Sequence, residues 1–80
     1  MNDLIIPKHA LDEMQRDNLT EDDVYTVVGD YDEMIEQVRG RTEYARTLDD
    51  GRYLVVVIED DGRTVVTVWL NKRRSRRRRR

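Results

Sequence analysis

The chain has 80 residues, 38% of them hydrophobic and 40% charged, with one histidine and no cysteine. That length holds one domain with a thin core. The missing cysteines exclude disulfides, thiolate catalysis and Cys-based metal sites, and a single histidine excludes a His-rich one.

The net charge of −2 conceals a polarised chain. Residues 72–80 hold 8 of the 15 basic side chains and no acid, while the first 71 hold 7 basic and all 17 acidic ones, a net −10. We read 1–71 as a single domain and 72–80 as a basic, disordered tail, because blocks of one charge sign repel and solvate. No run approaches the roughly 20 apolar residues of a membrane span. The start also lacks a basic-then-apolar signal segment, so the expectation is a cytoplasmic protein that does not engage a membrane.

Leu4-Ile5-Ile6 is a short apolar run stopped by Pro7, a brief strand or anchor. Lys8 to about Asp17 suits a helix with Ala10, Leu11 and Met14 on one face, and Asn18 breaks it. Thr20 followed by Asp23 resembles a capping box, and Glu21, Asp22 and Asp23 suit the positive end of a helix dipole. A second helix follows with Val24, Val27, Val28 and Tyr31 as its stripe, ending near Gly29.

The period then changes to two. Residues 33–38 are a weak strand candidate, and 41–48, 52–59 and 63–70 are stronger ones. Asp49-Asp50-Gly51 and Asp60-Asp61-Gly62 separate them as hairpin turns. The expected fold is α+β: two N-terminal helices on one face of a three- to four-stranded antiparallel meander. Two-residue turns at Asp50-Gly51 and Asp61-Gly62 would place Tyr44, Arg46, Leu48, Tyr53, Val55, Val57, Val66, Val68 and Leu70 under the helices. Glu43, Ala45, Thr47, Leu54, Val56, Ile58, Val65, Thr67 and Trp69 would then lie on a partly open face, with Arg41 and Arg52 at its edges.

Three groups of residues could carry chemistry. At 100° per residue, His9, Glu13 and Arg16 share one helical stripe beside the apolar face. A metal-free RNA cleaver needs a base for the 2′-hydroxyl proton and a cation at the phosphate. His9 or Glu13 fits the first role and Arg16 the second. The plainer alternative is an i, i+3 ion pair of Glu13 with Arg16, and a local hydrogen bond for His9. On the sheet, Trp69 could stack a base, Thr47 and Thr67 could hydrogen-bond, and Arg41, Arg46 or Arg52 could meet phosphate. Rim packing for Trp69 and solubilising edge charge for the arginines account for the same residues. In the tail, Lys72, Arg73, Arg74, Arg76, Arg77, Arg78, Arg79 and Arg80 form a block suited to RNA or another polyanion. It is also long enough to lie on the acids at 21–23 or 30–36. No phosphate-cradling glycine loop, nucleophile elbow or zinc signature is present, so no cofactor or metal is expected.

The segment KHALDEMQRDNLTEDDVYTVV resembles the opening of the DUF4258 family: a helix beginning at a His, an Arg seven residues on, a turn, then a capped acidic helix start. The close, DGRYLVVVIEDDGRTVVTVW, is similar to that family's final hairpin. This resemblance implies a fold like that of the RelE and BrnT toxins and a metal-independent ribonuclease of a toxin–antitoxin type system, with a cognate antitoxin-like partner. It also implies site roles for His9 and Arg16 on the helix and for Thr67 and Trp69 on the last strand. The chain departs from such toxins in charge, since their bodies are generally basic. That departure keeps a second reading in view, a non-catalytic nucleic-acid- or protein-binding regulatory module with an Arg-rich tail.

Overall fold

The computed structural model describes residues 3–37 and 39–71. Helix α1 (Lys8–Arg16) starts after Pro7, and Asn18 closes its exit in the left-handed region at φ 59°, which Asn tolerates. Helix α2 (Glu21–Gly29) starts at the anticipated capping box: the Thr20 hydroxyl accepts from the Asp23 amide, and the Asp23 carboxylate accepts from the Thr20 amide. Each helix has nine residues. Helices that short are marginal alone, so tertiary burial has to hold them.

Strands β1 (Glu33–Glu36), β2 (Thr42–Thr47), β3 (Tyr53–Ile58) and β4 (Val65–Leu70) form one antiparallel sheet in the order β1-β2-β3-β4. Ile5 adds a single parallel bridge to Thr64. Helix α1 lies along β4 and α2 over β2 and β3. This is the expected α+β meander, with the weak strand candidate forming a true but shorter strand.

The side assignment of β3 requires correction. The core joins Ala10, Met14, Val24 and Val27 of the helices to Leu48, Leu54, Val56, Ile58, Val65 and Val68. Leu54, Val56 and Ile58 therefore face the helices, while Tyr53, Val55 and Val57 face the other side. Two departures from simple turns cause this. The first hairpin has a three-residue loop, Asp49-Asp50-Gly51: Leu48 N–H donates to the Arg52 carbonyl, and Gly51 sits at φ +93°. That loop pairs Thr47 with Tyr53 and shifts β3 by one residue, which turns every side chain over. In the second hairpin Ile58 pairs with Val65 as expected, but Val57 pairs with Thr67, so Val66 is a β-bulge. Pairing with Ile58 brings Val65 into the core, and the bulge returns Val68 and Leu70 to the helix side. Tyr31, expected in the α2 stripe, is instead exposed and stacks at a tilt on Tyr44, with centroids 5.2 Å apart.

Both tight hairpins are tied by aspartates. Asp61 accepts from the Thr64 hydroxyl at 2.6 Å and from the Arg63 and Thr64 amides at 2.8 and 2.9 Å. Asp50 accepts from the Arg52 amide at 3.0 Å and from its guanidinium at 2.7 Å. The Thr64 hydroxyl bond, then the two amides, hold the Asp61 carboxyl below the ordinary 3.8. The Arg52 amide bond, with the Arg52 side chain, does the same for Asp50. A depressed folded-state value stabilises the protein above the unfolded-state value and loses that contribution as pH falls through the folded one. Carboxyl NMR titration is expected to give midpoints below 3.8 for both residues, with hairpin stability lost only under stronger acid. Midpoints at or above 3.8 would contradict these turn bonds.

Candidate functional site

In the four-stranded order, β4 is an edge; Ile5 accepts from the Val65 amide at its start, and the outward main chain beyond that needs other partners. Helix α1 supplies them with side chains. Ala10 and Met14 are buried and seat the helix, which leaves His9, Glu13 and Arg16 on the stripe beside that seat. His9 Nε2 lies 2.9 Å from the carbonyl of Val66, the bulge residue. Glu13 Oε1 accepts from the Thr67 hydroxyl at 3.0 Å and from the Val68 amide at 3.4 Å. Residues 54–57 positions apart in sequence thus meet along three consecutive residues of β4.

This geometry requires a proton on Nε2 of the imidazole. A carbonyl oxygen only accepts, so Nε2 carries the proton, and in the neutral ring the lone pair sits on Nδ1. His9 is exposed, so that nitrogen can reach a proton on a bound molecule. Arg16 lies two turns further on, about 10 Å along the helix axis from His9. It is exposed and makes no ion pair among the described residues. The anticipated alternative of a Glu13–Arg16 pair does not form; Glu13 turns to β4 instead. The Val66 carbonyl had no signal in the sequence, because a bulge within a uniformly β-branched stretch leaves no mark on residue type.

The other candidates lie elsewhere. Arg41 makes a two-pronged bond to Glu59, at 3.3 and 3.2 Å. Arg46 reaches the Asp30 carboxylate at 3.0 Å and its carbonyl at 2.8 Å, just past the C-terminus of α2 where a cation complements the helix dipole. Arg52 joins Asp50 and also donates to the Asp17 and Asn18 carbonyls, tying the first hairpin to the turn between the helices. Arg41 sits at the opposite end of β2 from Arg46, so these three do not form one cluster. Trp69 is 40% exposed on the sheet face away from the helices, across from Val55. Thr47 points to that same face. The tail cations Lys72, Arg73, Arg74, Arg76, Arg77, Arg78, Arg79 and Arg80 lie outside the described residues.

Among the described residues, no group of three or more His, Asp or Glu side chains is arranged to hold a metal ion, and no helix is long and apolar enough to cross a membrane. A shallow cavity of about 180 Å³ lies between α2 and the first hairpin, lined by Asp23, Thr26, Arg46, Leu48, Asp49 and Asp50. It is separate from the contacts of His9 and Glu13 with β4. Compared with known proteins, residues 6–70 match the model of a family described as "Domain of unknown function (DUF4258)". No curated protein and no solved structure gives a significant match.

Proposed function

Since the chain belongs to the DUF4258 family, we propose that it is a toxin-like, metal-independent ribonuclease domain whose reaction centre is the α1–β4 contact. The observation that supports this most is the orientation of His9: its Nε2–H is held on the Val66 carbonyl, and on this exposed side chain Nδ1 has no hydrogen bond among the described residues. A base held in one tautomer by a backbone carbonyl is ready to accept a proton. In this reading Nδ1 takes the 2′-hydroxyl proton, and the 2′-oxygen attacks the adjacent phosphorus. The bond to the 5′-oxygen breaks, and that oxygen takes a proton from solvent. The products are a 2′,3′-cyclic phosphate and a 5′-hydroxyl. Arg16, without a carboxylate partner among the described residues, meets the charge that builds on the phosphate. Glu13 positions Thr67 and the β4 main chain beside His9, and the Arg-rich residues 72–80 hold the RNA by charge. A cognate antitoxin-like protein would restrain such an activity.

Cleavage of single-stranded RNA is expected to persist in EDTA. His9→Ala and Arg16→Ala are each expected to slow it by about 10²-fold or more while leaving the circular dichroism spectrum native. Native-like variants that cleave at the wild-type rate would remove the stripe from the mechanism. The acidic body supports a second reading. Four of its seven cations are already paired with carboxylates, an arrangement suited to a non-catalytic binding module. Absence of cleavage across RNAs of varied sequence and structure would select that reading.

A further inference from the structure

The two edges of the sheet are treated differently. At β4, α1 side chains cap the outward carbonyl of Val66 and amide of Val68. At β1, the one neighbouring strand among the described residues is β2. The Gln37 amide bonds the Arg41 carbonyl across the strand pair. In an antiparallel ladder the inward and outward sets alternate, so Met34 and Glu36 turn their N–H and C=O groups away from β2. Every residue of β1 is exposed, and its apolar pair stays uncovered, Met34 at 43% and Ile35 at 51%. The charge of β1 itself has one sign: Glu33 and Glu36 are acids and the strand holds no base, while the Asp30 carboxylate before it is paired with Arg46.

We propose that the β1 edge is a docking strand for an extended peptide segment of a partner protein, one that alternates lysine or arginine with apolar residues and adds to the sheet as a fifth strand. The outward main chain of Met34 and Glu36 supplies the ladder bonds, and the two apolar side chains on opposite faces supply contact area. The acids choose the partner's sign. A second copy aligned on this edge would set acid against acid, and an acidic segment would be repelled. Short charged edges resist indiscriminate pairing, and this edge does so selectively because its charges are all negative. The inference stands on the sheet edge alone and is independent of the ribonuclease reading.

The test uses the full chain with two synthetic eight-residue probes, one alternating Lys and Val and the other alternating Glu and Val. Saturating Lys-Val peptide is expected to slow amide hydrogen exchange at Met34 and Glu36, and the Glu-Val peptide to leave it unchanged. Glu36→Pro removes one outward donor while keeping the Gln37 bond to β2, and is expected to weaken Lys-Val binding by about tenfold or more. Should that variant lose its fold, Glu36→Lys is expected to weaken binding to a similar degree through charge. Equal binding of both peptides, or protection mapping to Trp69 instead of Met34 and Glu36, would overturn the proposal. So would a peptide-free dimer with those amides protected, or protection in the full chain that disappears when residues 72–80 are removed.

Discussion

Replacing Leu54 by alanine is expected to lower the free energy of unfolding by about 2–5 kcal/mol, the range for emptying a buried leucine site. Leu54 is fully buried on β3, an interior strand of the sheet, and its side chain lies among the residues that receive both helices. A chain of this size has roughly 4–12 kcal/mol to lose, so this one change removes a large share of its stability. The melting temperature is expected to fall by roughly 10–30 °C, given about 4–8 °C per kcal/mol for domains of 60–100 residues. Ile35→Ala, at an exposed position of β1, is the matched control and is expected to stay within about 0.5 kcal/mol. Urea unfolding of the two variants measures both. A Leu54→Ala cost below about 1 kcal/mol would mean that β3 presents its other side to the helices.

Removing residues 72–80 is expected to reduce affinity for single-stranded RNA by orders of magnitude at low salt. The deletion takes away eight cations and leaves a body with net charge −10. Within that body, Arg41, Arg46 and Arg52 are held by Glu59, Asp30 and Asp50, so few cations remain for phosphate. Each lost phosphate contact is expected to flatten the slope of log affinity against log salt by about 0.7, so the full set changes it by up to about 5–6. Melting temperature is expected to change little, because arginines bring no apolar burial to the core. Affinity measured for both forms at several salt concentrations decides the matter. Equal affinities and equal slopes would move nucleic-acid binding to the body, where Arg16 and Trp69 are the exposed candidates.

Much of this molecule was determined by local sequence. Thr20 and Asp23 satisfy each other's main chain within one turn, and Asn18 and Gly51 supply left-handed conformations where the chain reverses. The elements, their order and the antiparallel meander follow from such short-range chemistry and from the change of hydrophobic period near residue 33. The stripe of His9, Glu13 and Arg16 was equally legible, since helix geometry alone aligns it.

Only the tertiary structure decided which side of β3 is the core and what that stripe touches. Tyr53-Leu54-Val55-Val56-Val57-Ile58 is apolar at every position, so it carries no alternation from which a side could be read. One extra loop residue in the first hairpin and one bulge at Val66 then settled the side chains of two strands, because a shift of one residue exchanges the faces. The same bulge turned the Val66 carbonyl toward His9. Glu13 met Thr67 and Val68 because the β4 edge, with no neighbouring strand beyond the single Ile5 bridge, had to satisfy its main chain there with side chains from α1. That demand acts between residues more than fifty positions apart, and it exists only once the sheet has formed.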